Sequence, residues 1–369
     1  MTKRRVLLTG ATGFLGGAFL AVNRPQDVDI EWVLPSRGAD QADAERRVAK
    51  RLARFLPETE VASVLARSEI FLADLTRPAS YSDPRLDDVT HVIHLAANTS
   101  FIASKGVWEA NLEGTRTLAE RMRRVPSLKR FLYVGTAMIC GDNPAHVVHE
   151  DESPSPHVEH LVPYTASKAA AETMLRSDFA DLPVVVARPS IVIGDSKLGC
   201  GPSGSIFWVV RALERVRLIS GEADAGVDVV PADYVARALD HLLFAPHLAH
   251  RTYHVSAGAE SRTPIRELAR RFAELKGEPY DAASYEVIHA EELPKHRMRL
   301  TEAFGPGHGR RMQIALGLYL KFCELDVVFD NARLRAEGLP ASVSLLDYLR
   351  ECLEQPAGMD IIAQADDEV

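Results

Sequence analysis

The chain of 369 residues is 46% hydrophobic and 25% charged, an ordinary globular composition with ample material for a large core. A net charge of −8 with no long basic run argues against nucleic acid as a partner. Four scattered cysteines (Cys140, Cys200, Cys323 and Cys352) form no CxxC and read as reduced thiols of a cytoplasmic protein, and no apolar run is long enough to span a membrane.

The opening Met-Thr-Lys-Arg-Arg and the apolar run behind it have the outline of a signal peptide. That run contains Gly10, Gly13, Gly16 and Gly17, however, and a first strand leading into a phosphate loop accounts for it better. Val6 to Thr9 reads as a short buried strand, and an apolar helix follows through about Val22. In this setting Gly10 permits a sharp turn. Gly13 permits backbone N–H groups to approach a pyrophosphate, and Gly16 permits close helix–strand packing. The helix N-terminus then faces the phosphates. The spacing is G-x-x-G-x-x-G rather than G-x-G-x-x-G, and a purely structural glycine turn is the competing reading.

Asp29 to Leu34 reads as the second strand. An acid at its end would bind a ribose 2′-hydroxyl, and a base would accommodate a 2′-phosphate. Here Pro35-Ser36-Arg37 follows, with no acid before Asp40, which favours NADP(H) over NAD(H) with Arg37 on the phosphate. The alternative is an exposed arginine and a site that accepts either cofactor. Residues 40–67 are rich in Ala, Arg, Glu and Leu and carry Val48, Leu52, Phe55 and Leu56 at helical spacing. Ile70 to Leu72 is a third strand ending in Ala73-Asp74-Leu75, where Asp74 either meets the adenine amino group or is a plain turn residue. Val89 to Leu95 is a fourth strand, and the small Ala96 and Ala97 beyond it leave space for a dinucleotide across the sheet. A helix with Asn111-Leu-Glu-Gly-Thr115 comes next, then a fifth strand from Phe131 to Gly135 ending at Thr136. Asn111 either orients a water or a lysine or is structural.

Residues 142–160 form a proline- and histidine-rich loop that delivers the chain to a helix bearing Tyr164 and Lys168, one turn apart on a shared face. A phenol has a reference pKa near ~10, and an ammonium beside it favours the phenolate, so the pair can exchange a proton with a substrate oxygen. His146/His149 and His157/His160 lack cysteine or clustered acid partners, and no metal site is expected. A sixth strand from Val184 to Ala187 runs into Arg188-Pro189-Ser190-Ile191. Beyond it lie a glycine-rich stretch at 195–205 and helices at 207–216, 231–244, 267–275, 316–324 and 345–353, with a strand at 252–255. Phe207 and Trp208 either line a pocket or fill the core. The last six residues read as a frayed acidic tail.

The alternation specifies an α/β fold: a Rossmann-type doubly wound parallel sheet with a smaller, mostly helical C-terminal substrate lobe. The expected division is a cofactor domain over 1–195, with sheet-associated segments to about 255, and a lobe over 196–369.

The motifs GATGFLG (10–16), HLAA (94–97), NLEGT (111–115), Thr136, YTASK (164–168) and RPSIVIG (188–194), in this order, resemble the extended short-chain dehydrogenase/reductases over roughly residues 5 to 255. Such enzymes usually read Ser/Thr-Ala-x-x-Tyr-Gly near the strand-end hydroxyl, whereas here Cys140 replaces the tyrosine. A narrower resemblance is to the thioester reductase and fatty acyl-CoA reductase branch. It rests on Phe14-Leu15, the arginine-rich helix, RPSIVIGDSKLG (188–199), VDVVPADYVARAL (227–239) and FDNARL (329–334). The resemblance implies catalysis by Thr136, Tyr164 and Lys168. It implies cofactor contacts from Gly10, Thr12, Gly13, Phe14, Leu15, Gly16, Arg37, Asp74, Leu75, Leu95, Ala96, Ala97, Asn111, Tyr164, Lys168, Pro189, Ser190 and Ile191. Thr136 and Tyr164 would hold a substrate carbonyl oxygen, and Tyr164 would protonate it. Lys168 would lower the phenol's pKa and bond the nicotinamide ribose, with Pro189 to Ile191 at the carboxamide edge. The implied activity is NADPH-dependent reduction of an acyl thioester, bound to coenzyme A or a carrier protein, to aldehyde or alcohol. A sugar-nucleotide epimerase or dehydratase, or a ketone or alcohol dehydrogenase, would use the same residues. A non-catalytic dinucleotide sensor on this fold would have no need of Thr136, Tyr164 and Lys168 together. A homodimer is compatible with these expectations.

Overall fold

The computed structural model describes residues 4–23, 30–102, 104–150, 157–222, 224–354 and 360–368. Seven parallel strands form its centre: β1 (Arg4–Thr9), β2 (Ile30–Ser36), β3 (Ser68–Leu72), β4 (His91–His94), β5 (Arg130–Val134), β6 (Val184–Pro189) and β7 (Thr252–Val255). Their order is β3-β2-β1-β4-β5-β6-β7. The order reverses between β1 and β4, where Leu8 pairs with Ile93 and Thr9 with His94. Ligands bind at the carboxyl ends of strands at such a switch point.

Both faces of the sheet are covered, so the strands are apolar on both sides. Val6 and Leu8 face one way, with Trp32, Ile93 and Leu132, against Phe19 and Leu20 of α1 (Phe14–Val22). Val235, Leu239 and Leu242 on the later helix at residues 232–244 join the same cluster. Leu7 points the opposite way, with Val33, Val92, Phe131 and Tyr133. That face is covered by Leu118 and Met122 of a helix at residues 114–122, and by Ala171, Met174 and Leu175 of a helix at residues 163–178. The period of two along each strand sets this division.

The helical stretch expected over 40–67 is two helices, α2 (Gln41–Leu52) and α3 (Glu58–Leu65). Pro57, with its fixed φ and no N–H, occupies the N-cap of the second and separates them. The helix carrying Asn111 is also interrupted. α4 (Ser104–Trp108) passes through a π-helical turn (Glu109–Glu113) into α5 (Gly114–Met122). Pro163 opens α6 (Pro163–Asp178) in the first turn, where its missing N–H costs nothing.

The remaining helices include α7 (Phe207–Arg215), α8 (Ala232–Phe244), α9 (Ile265–Lys276), α10 (Arg297–Phe304), α11 (Gly309–Cys323), α12 (Leu345–Glu354) and α13 (Ile361–Glu368). The expected frayed tail is replaced by α13. Ile361 buries itself beside Trp208 and Phe304, and the buried Gln364 accepts a 2.8 Å hydrogen bond from Arg211. Two apolar residues ahead of the acids, Ile361 and Ile362, supply the anchor that a purely acidic tail lacks. In the loop at 142–160, Val147–Val148 pairs in parallel with Val328–Phe329. His149 lies 2.9 Å from Asp330 and His146 3.7 Å from Asp326. Residues 151–156 of that loop lie outside the described residues.

Candidate active site

The loop after β1 has the stereochemistry its glycines predict at two positions. Gly10 has φ +82, and a β-carbon there would lie 2.8 Å from the Ala96 nitrogen. A β-carbon at Gly16 would lie 2.1 Å from the Gly10 carbonyl oxygen, so only glycine allows α1 to start this close to the strand. Gly13 is the N-cap of α1, with no side-chain cap and no acid in the first turn. Phe14 and Leu15 therefore begin a helix whose N–H groups and dipole suit an anion. The Thr12 carbonyl accepts a 2.9 Å bond from Arg51 on α2, which holds the loop from behind.

At the end of β2 the first acid serves another purpose. Asp40 caps α2, accepting from the Asp43 N–H at 2.7 Å. Arg37 is exposed; its carbonyl accepts from the Ser36 hydroxyl at 3.2 Å, and no salt bridge among the described residues holds its guanidinium. At the end of β3, Asp74 accepts from the Thr76 N–H and hydroxyl, both at 2.9 Å. Partial burial pushes its carboxyl up, but those two bonds, with Arg37 and Arg77, hold it below the ordinary carboxylate range. Leu75 packs against Gly114, where a β-carbon would lie 2.8 Å from its own.

A buried relay connects these strand ends to the tyrosine helix. The Thr9 hydroxyl accepts from the Ala96 N–H at 3.2 Å and lies 2.7 Å from His94 Nδ1. His94 Nε2 lies 2.9 Å from the Thr115 hydroxyl, which donates to the Asn111 carbonyl at 2.6 Å. Because Thr115 donates onward, it must accept from His94, so the imidazole carries its proton on Nε2 and accepts from Thr9. Burial, with a contribution from Lys168, pushes His94 down to about 3, and it stays neutral. Asn111 is buried in the π-helical turn. Its Oδ1 accepts from the Asn98 N–H at 2.7 Å, and its Nδ2 donates to the Asn98 carbonyl and to the Ser167 hydroxyl, both at 2.9 Å. Ser167 in turn donates to the Tyr164 carbonyl at 2.7 Å. Asn111 thus holds the loop after β4 against α6.

Tyr164 and Lys168 part company more than their spacing implies. The Lys168 ammonium runs beneath the sheet end, donates to the Val134 carbonyl at 2.7 Å and lies 4.4 Å from the centre of the Tyr133 ring. Burial pushes it down to about 7, opposed by Glu172. The Tyr164 ring stacks on Phe101 at 6.3 Å, and burial pushes its phenol up to about 12. In this arrangement burial dominates the phenol, and the expected lowering by Lys168 is absent. One turn further, the buried Glu172 receives Arg188 and Arg176, each at 2.6 Å. The carboxylate clamps α6 to β6, and β6 carries the chain to Pro189.

Thr136 closes the constellation. Its hydroxyl accepts from the Met138 N–H at 3.2 Å and faces the Pro189 carbonyl at 3.4 Å. Thr136, Tyr164, Ser190 and Ile191 line one cavity of about 270 Å³. Its outer wall is aromatic: Phe101 lies 4.8 Å from Tyr319 and 5.5 Å from Phe322. Phe207 and Trp208 are core residues, and Ile206, Val209 and Val210 beside them line the cavity instead. Sequence reasoning missed the relay through Thr9, His94 and Thr115. It also missed the aromatic wall, in which Tyr319 and Phe322 share a helix but Phe101 lies 218 and 221 positions before them, beyond any local pattern. Leu95, Ala96 and Ala97 border the glycine loop, and the bare Gly10–Gly16 turn, the uncapped α1 and these small residues fit a dinucleotide. Arg37 and Asp74 lie at the outer strand ends. Among the described residues, no three His, Cys, Asp or Glu side chains group as metal ligands.

A parallel sheet with a glycine loop at its switch point and a Thr–Tyr–Lys set beyond β5 defines a nicotinamide-dependent oxidoreductase of the extended short-chain dehydrogenase/reductase class. Residues 8–239 match the NAD-binding family described as male sterility protein, and the chain belongs to that family. A Drosophila melanogaster protein bearing the name of a fatty acyl-CoA reductase, CG8303, is 24% identical over 273 residues, 63% of this chain and 50% of that protein. The isonitrile lipopeptide synthase of Mycobacterium tuberculosis is 31% identical over 228 residues, 56% of this chain and 9% of the synthase. The chain therefore spans half or less of these relatives. Among solved structures, the reductase domain of a Mycobacterium tuberculosis non-ribosomal peptide synthetase superposes with a TM-score of 0.74 at 25% identity, covering 96% of this chain and 92% of that one.

Proposed function

We propose that this protein is an NADPH-dependent reductase of an acyl thioester, bound to coenzyme A or to a carrier protein. The observation that carries this reading is the presence of Thr136 and Tyr164 on the wall of an otherwise largely apolar cavity. Such a wall suits an acyl group. A nucleotide sugar would set many of its hydroxyls against Ile191, Val192 and Val229, with few lining hydroxyls, such as Ser190 and Ser205, to pair them. The names of the relatives, an acyl-CoA reductase and a synthetase reductase domain, support the same substrate class.

In this proposal residues 1–195 hold the cofactor, with sheet segments continuing to about 255, and residues 196–369 close over the substrate. Gly10 to Gly16 and the N-terminus of α1 hold the pyrophosphate. Arg37 takes the 2′-phosphate, Asp74 and Leu75 flank the adenine, and Ala96 and Ala97 form the floor. Pro189 to Ile191 border the carboxamide. When bound, NADPH supplies a hydride to the carbonyl carbon.

Thr136 and Tyr164 donate hydrogen bonds to the carbonyl oxygen as negative charge grows there. Reduction needs an acid, and the raised pKa of Tyr164 keeps its phenol protonated for that role. A charged Lys168, whose bond to the Val134 carbonyl uses one of its three protons, would donate to the nicotinamide ribose. The thioester thereby gains a hydrogen on carbon and one on oxygen. The C–S bond of this hemithioacetal then breaks, releasing a thiol and an aldehyde, and a second cycle at the same site would give the alcohol. Free thiols at all four cysteines suit the reducing cytoplasm in which we place the reaction. The test is to incubate the purified protein with NADPH and a panel of coenzyme A thioesters, carrier-bound thioesters, ketones and nucleotide sugars, following absorbance of the reduced cofactor. Oxidation with thioesters is expected, and its absence with every thioester refutes the proposal.

A further inference from the structure

We infer that the substrate's acyl group is an unbranched alkyl chain whose tail passes Leu268 into a second apolar chamber between α7 and α9. The inference rests on the thioester reading above and adds the acyl class and the residues that set its length. The second chamber has a volume of about 80 Å³ and is walled by Leu213, Ile219, Ile265, Ala269 and Phe272. One layer of side chains, Val209, Val210, Val227, Leu268 and Cys323, faces both this chamber and the cavity at Tyr164. The valines are stiff at χ1, whereas Leu268 on α9 is not branched at its β-carbon and can change rotamer. Leu268 is therefore the gate.

The lining decides between acyl classes. The polar side chains at the chamber's edge are engaged elsewhere. Ser220 donates to the Leu320 carbonyl at 3.3 Å, Glu214 receives Lys276 at 2.7 Å, and the Tyr285 hydroxyl meets Arg217. A peptidyl tail would bring amides with no partner into this chamber, and an alkyl tail brings none. Volume sets the length. A methylene is close to water in size, so at ~30 Å³ per unit the two spaces together hold at most about twelve units. The reacting carbonyl and the carboxamide edge take part of the first cavity, so the optimum acyl chain lies at or below about twelve carbons.

The test uses straight-chain acyl-CoA thioesters from butanoyl to hexadecanoyl with NADPH. For the wild-type protein, kcat/KM should rise by up to about fourfold per methylene and turn over at or below about twelve carbons. Ala269→Phe fills the second chamber and should move the optimum two or three carbons shorter. Phe272→Ala opens its far end and should move the optimum longer, so the proposal stays testable if the first variant does not fold. A flat wild-type profile overturns the inference, as do variants that change all lengths by the same factor. Non-reactive alkyl thioethers of pantetheine, titrated by calorimetry, separate the two readings. Affinity that grows with alkyl length alongside absent thioester turnover removes the reductase reading and leaves the tail site. Affinity independent of length overturns the tail site whatever the turnover.

Discussion

Replacing Asn111 with alanine tests whether this residue holds the loop after β4 or acts on the reaction itself. The amide makes three hydrogen bonds, to the Asn98 N–H, the Asn98 carbonyl and the Ser167 hydroxyl. Alanine leaves the two Asn98 backbone groups without these partners. Ser167 still donates to the Tyr164 carbonyl, so it loses one incoming bond only. A buried polar group left unpaired costs ~1–3 kcal/mol, and Asn98 is partly accessible to water, so the low end applies twice: about 2–3 kcal/mol of stability. Urea unfolding followed by circular dichroism measures this, read as a lower midpoint at unchanged slope. Because the freed segment follows Ala96 and Ala97 at the dinucleotide floor, NADPH affinity should fall by about tenfold, the equivalent of ~1.4 kcal/mol. The Michaelis constant for NADPH should rise while kcat changes less than threefold. A stability loss under 0.5 kcal/mol, or a collapse of kcat with unchanged NADPH affinity, refutes the positioning argument.

Tyr164→Phe removes the proton donor but keeps the ring against Phe101, so kcat should fall by about 10²–10⁴-fold with NADPH affinity within a factor of two by fluorescence titration. Loss of binding together with turnover would make the tyrosine structural. For pH, the reaction needs Tyr164 protonated and Lys168 charged. Tyr164, pushed up to about 12, imposes no limit below that pH, whereas Lys168, pushed down to about 7, loses its charge as pH rises through that value. The kcat/KM for reduction in the free enzyme should therefore be level on the acid side and decline above about pH 7. A profile that instead rises from pH 6 to pH 9 contradicts this assignment. Arg37→Ala should raise the Michaelis constant for NADPH by at least about tenfold and leave that for NADH within about twofold, since only the former carries a 2′-phosphate for the exposed guanidinium. Equal effects on both cofactors would remove the 2′-phosphate role.

The strand–glycine–helix run at Val6 to Val22, the parallel alternation and the β7 boundaries at Thr252 and Val255 were legible from local pattern alone. The reason is that buried parallel strands and an apolar helix declare themselves by period and by glycine placement within a few residues. That Tyr164 and Lys168 share one helical turn and that Thr136 follows a strand end was legible too. The break at Pro57 was overlooked because the apolar spacing continues across it. The acidic end was misread because its two anchoring isoleucines precede the charges.

Long-range packing decided the rest. No local rule says that Asp40 caps a helix, so that the first acid after β2 is unavailable to a ribose. Spacing placed Lys168 beside Tyr164, but the sheet end draws its ammonium to the Val134 carbonyl, and burial then moves the two pKa values apart, the phenol up to about 12 and the ammonium down to about 7. The substrate wall brings Phe101 to Tyr319 and Phe322, and the tail chamber brings α7 to α9. Sequence by itself determined which side chains are candidates for the chemistry, because such sets need specific residue types at set places along strand ends and helical turns. Tertiary structure decided what surrounds them, because desolvation and cavity shape are sums over atoms that the chain brings together only when it folds.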